Sequence, residues 1–595
     1  MGSIGTVSGP EAPPHADPPN RGARPRRRIV APWLVGYDLE QLRGDLVAGL
    51  TVGVLLVPQA MAYAQLAGAP AILGLYACVV PPLLYVLLGT SMHIAVGVVA
   101  VDMFIVHAGL ASLADPGSPR WLELMVLLTL LTGLIQVVMA ATRMGFLVNL
   151  LSRPVLVGFG TGAALLIAMS AVGALVGIDL QGASTVPLMV WGLARGAPGA
   201  GPWPLVLGAI SIAVVQAMRM WSPRVPGALV VVVVGTVAVS LLDPEGRVIS
   251  VVGTLPAGFP PPRLPTVDWG AIPPLLPTAA TLALVQFTSV VSLGKLFAGR
   301  FGYTVSGNRE LAAVGAANAS AAFFGALPVS ASFSRSALNV ESGARTPMSN
   351  VVSSAVVVAA LLFLTDVLAR MPQPVLAAIM VVAALSLVDV EEIRFLRRAK
   401  ARDGWIAVVT LLATLSGGIV VGILIGVSLS LLALIYRMGR PNIAVLGHLP
   451  GTRSFRDVRF SPEARPVEGL LMLRIDASFS FVNAEMLRDY ILNRTLPEHG
   501  VRAVVLDASS VNDLDTTAAE VLGIVNETLE GRGIELYVAG AKELVLETLR
   551  RSGLHDRLGP QSFFLSPHRA VRHVLEGWGV EADYLKNVPG LDESS

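Results

Sequence analysis

Long apolar runs alternate with short polar segments along most of the sequence, from Leu42 to Met438. Each run is close to the ~20 residues that a helix needs to span a membrane. The pattern predicts fourteen spans, and two of them, 94–113 and 329–342, are interrupted by small or polar residues. The predicted spans are 45–67, 70–89, 94–113, 121–142, 154–177, 203–220, 226–242, 273–298, 308–326, 329–342, 349–368, 373–390, 404–415 and 417–437.

The pattern changes after residue 440, where short apolar runs alternate with amphipathic stretches. The runs Leu470–Ile475, Ala503–Leu506 and Glu535–Val538 are typical of buried strands. Between and after them, the stretches 482–493, 515–531 and 541–551 are typical of helices. This alternation predicts a small soluble α/β domain with a doubly wound or mixed sheet.

These patterns divide the sequence into four parts. Residues 1–34 are predicted to form a disordered cytoplasmic tail, because the first 28 are polar, rich in Pro and Arg, and lack the apolar core of a signal peptide. Residues 35–440 form a polytopic α-helical membrane domain, and residues 441–580 form the α/β domain. Residues 581–595 form a C-terminal tail.

The composition narrows the class of protein further. Of the 595 residues, 53% are hydrophobic and 14% are charged, whereas soluble domains carry about 25% charged residues. The net charge of +2 favours neither nucleic acid nor an acidic partner. The single cysteine, Cys78, excludes a disulfide within the chain and a metal site built from cysteines. No phosphate-binding loop or dinucleotide fingerprint is present, so we expect no cofactor, no ATP-driven transport and no enzymatic activity.

The distribution of Lys and Arg predicts the orientation in the membrane. Basic residues concentrate in alternate loops, most densely from Arg394 to Arg402, and the opposite loops carry few. Basic loops face the cytoplasm, and an even number of spans places both ends of the chain on one side. We therefore expect a multi-pass protein of the cell membrane with both termini in the cytoplasm.

One short stretch of the membrane domain is unusually polar. Leu327–Ala337 contains Arg335 and four serines, Ser330, Ser332, Ser334 and Ser336. A charged side chain at membrane depth costs at least ~2.5–3.5 kcal/mol and normally faces a polar cavity or an ion path. Small hydroxyl residues after a proline also favour the start of a helix, whose free N–H groups attract anions. The stretch is a candidate anion site.

The two halves of the membrane domain share a local pattern. In residues 70–101 and again in residues 310–336, a full span is followed at once by a short segment interrupted by Gly or Ser. Broken segments at matching places in two halves indicate a transporter site near the middle of the membrane. The alternative is that Gly and Ser only allow neighbouring helices to pack closely.

Several motifs, in the same order, resemble those of the SulP (sulfate permease) anion transporters, which carry a C-terminal STAS domain. The resemblance covers roughly residues 35–580. The motifs of the membrane domain are Val57–Ala64, Gly74–Tyr76, Gly89–Gly97, Gly302–Tyr303, Gly307–Leu311, Ser332–Ser336 and Gly343–Thr346. Those of the STAS domain are Phe479–Glu485 and Asp507–Thr517.

The resemblance implies a fold, a mechanism and a site. It implies a fourteen-helix inverted repeat of seven plus seven, with a core that moves like an elevator against a gate. The anion then lies between two half-helices that start near Ile94 and Val329. The positions that match the family's site are Gln59, Tyr63, Val99, Ser334 and Arg335. For Arg335, two roles stay open: a long-range positive potential at the anion, or an ion pair with a carboxylate such as Glu341 that holds the helix.

Three departures from the family pattern concern the site and its coupling. Val98 stands where many relatives have Pro, and Ser289 stands where proton-coupled relatives often have Glu. Asp102 lies among apolar residues and is a candidate protonatable group that replaces that Glu. The alternative is a structural residue that makes hydrogen bonds to neighbouring helices. Gln286 and Lys295 are predicted to be structural.

The STAS domain offers a candidate regulatory site. Thr516 and Thr517 match the place where soluble STAS proteins are phosphorylated on Ser, and the alternative is an ordinary helix N-cap. We expect the partners of the protein to be a small anion, membrane lipid, a second copy in a homodimer and a cytoplasmic regulatory protein, but no nucleic acid. Asn318–Ser320 matches a glycosylation sequon but lies inside a predicted span.

The function predicted from the sequence is transport of sulfate, bicarbonate, chloride or a small dicarboxylate, with symport, exchange and uniport all open. Two alternatives differ in class. One is a signalling protein whose membrane domain only anchors the STAS domain. The other is a nucleobase–cation symporter of the same fold, which the serine-rich tenth span and the STAS domain disfavour.

Overall fold

The computed structural model describes residues 31–580 apart from short breaks at 35, 146–151, 179, 181–184, 197, 199–200, 222–226, 244–247 and 387. Of the tails predicted for residues 1–34 and 581–595, residues 1–30 and 581–595 lie outside the described residues, and Pro32–Leu34 form a short 3-10 helix. The chain forms two compact units, Met1–Val427 and Ser428–Ser595, and each is described by itself.

The first unit consists of helices and two very short strands. Its helices are α1 (Leu39–Leu66), α2 (Ala71–Ala77), α3 (Val80–Leu88), α4 (Ala100–Leu110), α5 (Pro119–Ala141), α6 (Arg153–Val176), α7 (Val186–Gly196), α8 (Pro202–Trp221), α9 (Gly227–Leu242), α10 (Ile272–Phe301), α11 (Gly307–Phe323), α12 (Phe333–Glu341), α13 (Met348–Phe363), α14 (Thr365–Ala369), α15 (Gln373–Leu385), α16 (Val390–Ala399) and α17 (Ala401–Gly417), and α18 (Ile419–Gly439) continues into the second unit. The strands are β1 (Val96–Gly97) and β2 (Ser330–Ala331).

Each of the fourteen predicted spans overlaps at least one helix of the structure. Within the described part of the chain, eight helical stretches are long and apolar enough to cross a membrane, and α4, α9 and α13 are shorter apolar helices. The helix predicted over 70–89 is divided into α2 and α3 near Cys78. Pro81 and Pro82 follow this break, and prolines are tolerated in the first turn of a helix but not in its interior.

The two interrupted segments have the predicted broken form. β1 pairs with β2 in antiparallel register, with Val96 opposite Ala331 and Gly97 opposite Ser330. Each strand is followed within three residues by a short helix, α4 after β1 and α12 after β2. The N-termini of two half-helices from the two halves of the domain therefore meet at one place.

Close contact between α5 and α11 positions the elements around these half-helices. A Cβ atom placed on Gly133 would lie 2.6 Å from the backbone nitrogen of Ala319, and one on Gly315 would lie 2.9 Å from that of Val137. Glycine at both positions lets the two backbones approach as small residues do in membrane helix pairs.

The second unit contains a six-stranded mixed sheet, which agrees with the predicted α/β domain. The strand order is β4-β3-β5-β6-β7-β8, parallel from β5 to β8 and antiparallel at β3 and β4. The strands are β3 (Ile443–His448), β4 (Phe455–Asp457), β5 (Leu470–Ile475), β6 (Ala503–Asp507), β7 (Glu535–Ala539) and β8 (Phe563–Phe564). The helices are α19 (Ala484–Arg494), α20 (Thr516–Glu530), α21 (Glu543–Arg551), α22 (Leu554–Leu558) and α23 (Pro567–Gly577).

Both faces of this sheet are covered. Apolar side chains of α19 to α22 pack on one face, and those of α23 pack on the other. The three predicted strands correspond to β5, β6 and β7, and the three predicted helices correspond to α19, α20 and α21.

Candidate functional site

Hydrogen bonds from backbone and side chains hold the two half-helices together. The backbone N–H of Ser332 donates to the carbonyl of Ala95 at 3.1 Å, which extends the pairing of β1 with β2. The N–H of Ala95 donates to Ser336 Oγ at 2.9 Å, and the N–H of Val96 donates to Asn350 Oδ1 at 3.0 Å. Polar side chains of the second half therefore fix the strand that precedes α4.

The helix starts are formed by different residues. Ser332 occupies the N-cap of α12, and its hydroxyl accepts from the N–H of Arg335 at 3.5 Å. Val99 occupies the N-cap of α4 and has no side chain that can accept a hydrogen bond. The first N–H groups of α4 thus lack a side-chain cap, and such groups are available to an anion.

A cavity of about 250 Å³ lies against both helix starts. Its lining includes Val99 to Asp102 from the first half-helix and Ala331 to Ser334 from the second. Tyr63 on α1 and Ser289 on α10 complete the polar part of the wall, together with Thr288 and Ser292. The structure therefore brings Tyr63, Val99, Ser334, Asp102 and Ser289 to one cavity.

Arg335 does not line this cavity, although Ser334, the residue before it, does. Arg335 is 2% exposed, and its Nε and Nη2 atoms have no hydrogen-bond partner. A Cβ atom placed on Gly97 would lie 3.3 Å from Nη2, so the guanidinium packs against β1. No ion pair joins Arg335 to Glu341 within the part of the chain that the structure describes. Glu341, the example partner named for the structural alternative, therefore does not pair with Arg335.

Gln59 lies one helical turn before Tyr63 on α1, and it is not part of the cavity wall described above. Its Oε1 atom is buried without a hydrogen-bond partner. A buried carboxamide oxygen that makes no hydrogen bond costs about 1–3 kcal/mol, so such a group in a transporter is a candidate for contact with a ligand or water.

The acidic and polar groups expected to serve coupling have different surroundings. Asp102 is 2% exposed, and its Oδ2 accepts a hydrogen bond from Gln286 Nε2 at 3.0 Å. The Ser289 hydroxyl donates to the carbonyl of Val285 on its own helix at 3.0 Å. Lys295 is exposed. No local pattern predicts that Asp102 pairs with Gln286, because 184 positions separate them.

Two further cavities are present in the membrane domain. One, of about 460 Å³, is lined by Arg219, Arg300 and Glu341, and it shares Ser334 with the central cavity. The other, of about 510 Å³, is lined by Gln65, His107 and Gln373, among others. The sequence did not single out Arg219, Arg300 or His107 as parts of a pathway.

Thr516 and Thr517 are the first two residues of α20 in the second unit, and both are exposed. The N-cap of this helix is Asp515, whose carboxylate accepts from the N–H of Ala518 at 2.8 Å and from the N–H of Phe481 at 2.8 Å. Because Asp515 caps the helix, neither threonine serves as the N-cap.

Within the described residues, no group of three or more His, Cys, Asp or Glu side chains is arranged to hold a metal ion. The chemistry that the site offers is therefore that of helix N-termini, hydroxyl groups and a buried arginine. These groups recognise anions without a metal.

Sequence comparisons place the chain among known proteins. Residues 42–410 match the Sulfate permease family, and residues 461–570 match the STAS domain. A probable sulfate transporter of Mycobacterium tuberculosis (strain CDC 1551) is 37% identical over 541 residues, which cover 90% of this chain and 96% of the relative. The chloroplastic sulfate transporter 4.1 of Arabidopsis thaliana is 34% identical over 563 residues, which cover 91% and 82%.

Structural comparisons show the fold. The murine Solute Carrier 26 family member A9 anion transporter has a TM-score of 0.85 at 23% identity, and the match covers 94% of this chain and 96% of that chain. The transmembrane domain of a cyanobacterium bicarbonate transporter, BicA, has a TM-score of 0.57 at 22% identity over 66% of this chain and 98% of that chain. The chain therefore has a polytopic helical membrane domain of this fold, followed by a STAS domain.

Proposed function

The chain belongs to the sulfate permease family of membrane anion transporters, and we propose that it is a secondary transporter whose preferred substrate is sulfate. The relatives described above are sulfate transporters by name, which supports sulfate as the substrate. Bicarbonate, chloride and small dicarboxylates are the competing substrates that the family resemblance leaves open.

The observation that supports an anion site most directly is the combination of two helix N-termini with the buried Arg335. Each helix N-terminus contributes the equivalent of about +0.5 charge. The guanidinium has two nitrogens without a hydrogen-bond partner, and the preceding residue, Ser334, lines the same cavity. Burying an unpaired positive charge costs free energy, and an anion bound in this cavity offsets that cost.

Each of the proposed binding residues replaces part of the hydration shell of sulfate. Ser334 and Tyr63 offer hydroxyl donors in the cavity, and the backbone at Val99 and Ala100 offers N–H groups. Gln59 provides a carboxamide on the same face of α1 as Tyr63, because residues four apart in a helix are neighbours. Arg335, whose guanidinium packs against β1, supplies positive charge.

We propose that transport follows alternating access, with a fourteen-helix inverted repeat of seven plus seven. The half-helices belong to a core, which carries the anion past a gate like an elevator. The cavity that contains Arg219 and Arg300 is the proposed cytoplasmic entrance, because it shares Ser334 with the central cavity and basic residues favour the cytoplasmic side. The cavity beside His107 is the proposed outer entrance.

We further propose that Asp102 couples anion movement to protons. It lines the central cavity, whereas Ser289, which stands where relatives often have Glu, cannot ionise. A carboxylate near a bound anion repels it, and protonation removes that repulsion. Protons and anions then bind together and cross the membrane together.

The remaining expectations concern location and regulation. We propose that the protein lies in the cell membrane with both termini in the cytoplasm, where the STAS domain meets a regulatory partner. The exposed Thr516 and Thr517 support a phosphorylation site, since Asp515 already caps the helix. A homodimer is part of the same proposal.

Uptake of labelled sulfate into proteoliposomes tests this function. We expect time-dependent uptake that excess sulfate inhibits, with bicarbonate, chloride and dicarboxylates as weaker competitors. Ser334→Ala should weaken uptake roughly tenfold or more, because a hydrogen bond to a charged group contributes about 1.5–3 kcal/mol. The matched control is Ser416→Ala, whose exposed hydroxyl donates to the carbonyl of Leu412 on its own helix at 2.8 Å.

The same assay separates the alternatives. Uptake of a nucleobase but of no anion would favour a nucleobase–cation symporter. Absence of uptake for every solute, with folded protein in the membrane, would favour a membrane-tethered STAS signalling protein.

A further inference from the structure

Three buried carboxamides form a cluster in the centre of the membrane domain. We call Gln136 on α5, Gln286 on α10 and Asn318 on α11 the amide cluster, and all three are 0% exposed. Gln136 Nε2 donates to Gln286 Oε1 at 2.9 Å. Asn318 Nδ2 donates to Gln286 Oε1 at 2.7 Å and to Gln136 Oε1 at 2.9 Å. Three helices are thus joined by hydrogen bonds within an apolar interior.

The amide cluster ends at the two halves of the candidate anion site. At one end, Gln286 Nε2 donates to Asp102 Oδ2 at 3.0 Å, and Asp102 lies in the first turn of α4. At the other end, the backbone N–H of Val329 donates to Asn318 Oδ1 at 2.7 Å, and Val329 immediately precedes β2. A continuous chain of hydrogen bonds therefore runs from the second half-helix segment to the carboxylate of the first.

The orientation of each side-chain amide in the amide cluster follows from one fixed donor, the backbone N–H of Val329. A backbone N–H can only donate, so Asn318 must turn its oxygen towards Val329 and its nitrogen towards the two glutamines. Gln286 must then turn its oxygen towards the nitrogens of Asn318 and Gln136. Its own nitrogen is left facing Asp102, so the cluster presents a hydrogen-bond donor to that carboxylate.

We propose that Gln286, Asn318 and Gln136 are positioning residues that hold a fixed donor against Asp102 and link its protonation state to the second half-helix. This inference rests on the proposed function, in which Asp102 is the protonatable group of the anion site. A donor to the carboxylate favours its ionised form, so it influences the pH at which Asp102 takes up a proton.

The other groups around Asp102 are few. Tyr63 on α1 lines the same cavity, and Arg335 on α12 is close enough for an electrostatic interaction with Asp102. Cys78 lies beside Arg335, between α2 and α3. Towards this cavity, α10 presents Thr288, Ser289 and Ser292, and α6 presents Val155, Leu156, Phe159 and Gly160. On α5, the group that reaches this region is Gln136, which acts through Gln286.

The proposal predicts how sulfate affinity depends on pH. Sulfate binds more weakly as the pH rises through the midpoint at which Asp102 ionises, because the carboxylate repels the anion. Gln286→Met keeps the length of the side chain but removes the donor, so the ionised form is less favoured. The midpoint should then move to higher pH, by about one unit, the shift expected when a hydrogen bond worth about 1.4 kcal/mol is lost.

The test is a titration of sulfate binding between about pH 4.5 and pH 8.5 with the full-length protein in lipid nanodiscs. Wild type should show a midpoint, Asp102→Asn should abolish the pH dependence, and Gln286→Met should shift the midpoint upward. Gln286→Leu, which also lacks the donor and adds no ionisable group, should likewise shift it upward and serves if the Met variant does not fold. The matched control is Thr129→Val on α5, where a fully buried hydroxyl donates within its own helix at 2.8 Å.

The outcomes separate this inference from the proposed function. A wild-type midpoint in both Gln286 variants, with only the thermal stability lowered, would overturn the positioning role while the Asp102 proposal stands. A pH dependence that persists in Asp102→Asn would overturn both. An upward shift in the Gln286 variants that is absent from Thr129→Val supports the positioning role.

Discussion

Arg335 is a buried cation with two unpaired nitrogens, and it lies beside Gly97 of β1 rather than in the wall of the central cavity. We expect a charge in this position to act on an anion over a distance instead of through a hydrogen bond. Because Coulomb attraction grows with the charge of the anion, its loss should affect a divalent anion more than a monovalent one.

Arg335→Gln should therefore weaken sulfate binding by roughly tenfold or more and chloride binding by less. The measurement is a binding titration with both anions on folded protein. The matched control is Arg263→Gln, which removes an exposed arginine outside the helices. Unchanged affinity together with reduced thermal stability would mean that Arg335 only holds the helix in place.

Asp102 provides the second prediction at this scale. Asp102→Asn removes the ionisable group but keeps its shape and one acceptor for Gln286. Stimulation of uptake by an inward proton gradient should be lost, while exchange of sulfate for sulfate stays measurable. The measurement is uptake into proteoliposomes with and without a pH gradient. If a proton gradient still drives uptake in this variant, Asp102 is not the coupling residue.

The candidate site shows how far single residues could be predicted. Tyr63, Val99, Ser334, Asp102 and Ser289 were singled out in the sequence, and the structure places them around one cavity. Gln286 was predicted to be structural, and Asn318 was noticed only as a sequon. Their roles depend on contacts between distant parts of the chain, such as the bond between Asn318 and Gln136, and no local pattern contains that information.

At the scale of elements, the apolar runs predicted the spans because a helix in lipid must be apolar over its length. The helices α7 and α16 were not predicted. Each is short and lies next to a longer apolar run, which is the stronger signal in the sequence. β1 and β2 contain two residues each, which is too short for any alternation of side chains to appear. The two strands are recognised only in the structure, where β1 and β2 pair in antiparallel register.

The crossing of α5 and α11 gives a prediction about elements. Gly133 lies at this crossing, where a Cβ atom would come within 2.6 Å of the Ala319 nitrogen. Gly133→Ala should push the helices apart and lower the free energy of unfolding by roughly 1–3 kcal/mol, a typical effect of overpacking. Thermal unfolding in detergent measures this change.

The control for this variant is Gly299→Ala on α10, where no atom lies within 4 Å of the added Cβ. This substitution should leave stability unchanged or raise it slightly, because alanine restricts the unfolded chain. Equal thermal stability of Gly133→Ala and wild type would show that the contact between α5 and α11 is not tight.

For the whole molecule, the division of the chain into two domains predicts that the membrane domain alone binds the anion. Every proposed anion ligand precedes residue 340, and the STAS domain matches residues 461–570. Deletion of residues 445–595 should therefore change the transport rate or the amount of protein in the membrane but preserve sulfate affinity. The measurement is sulfate binding to the truncated protein after purification in a folded state. Complete loss of affinity in folded, membrane-inserted protein would show that the STAS domain contributes to the site.

The central claim is that an anion binds where the N-termini of α4 and α12 meet. The direct measurement is the position of selenate, a heavier analogue of sulfate, located by its anomalous scattering in crystals of the full-length protein. The predicted result is one selenium peak in the central cavity, next to Val99 and Ser334, that is lost in Ser334→Ala. A peak elsewhere, with this cavity empty at a selenate concentration that saturates binding in solution, would contradict the claim.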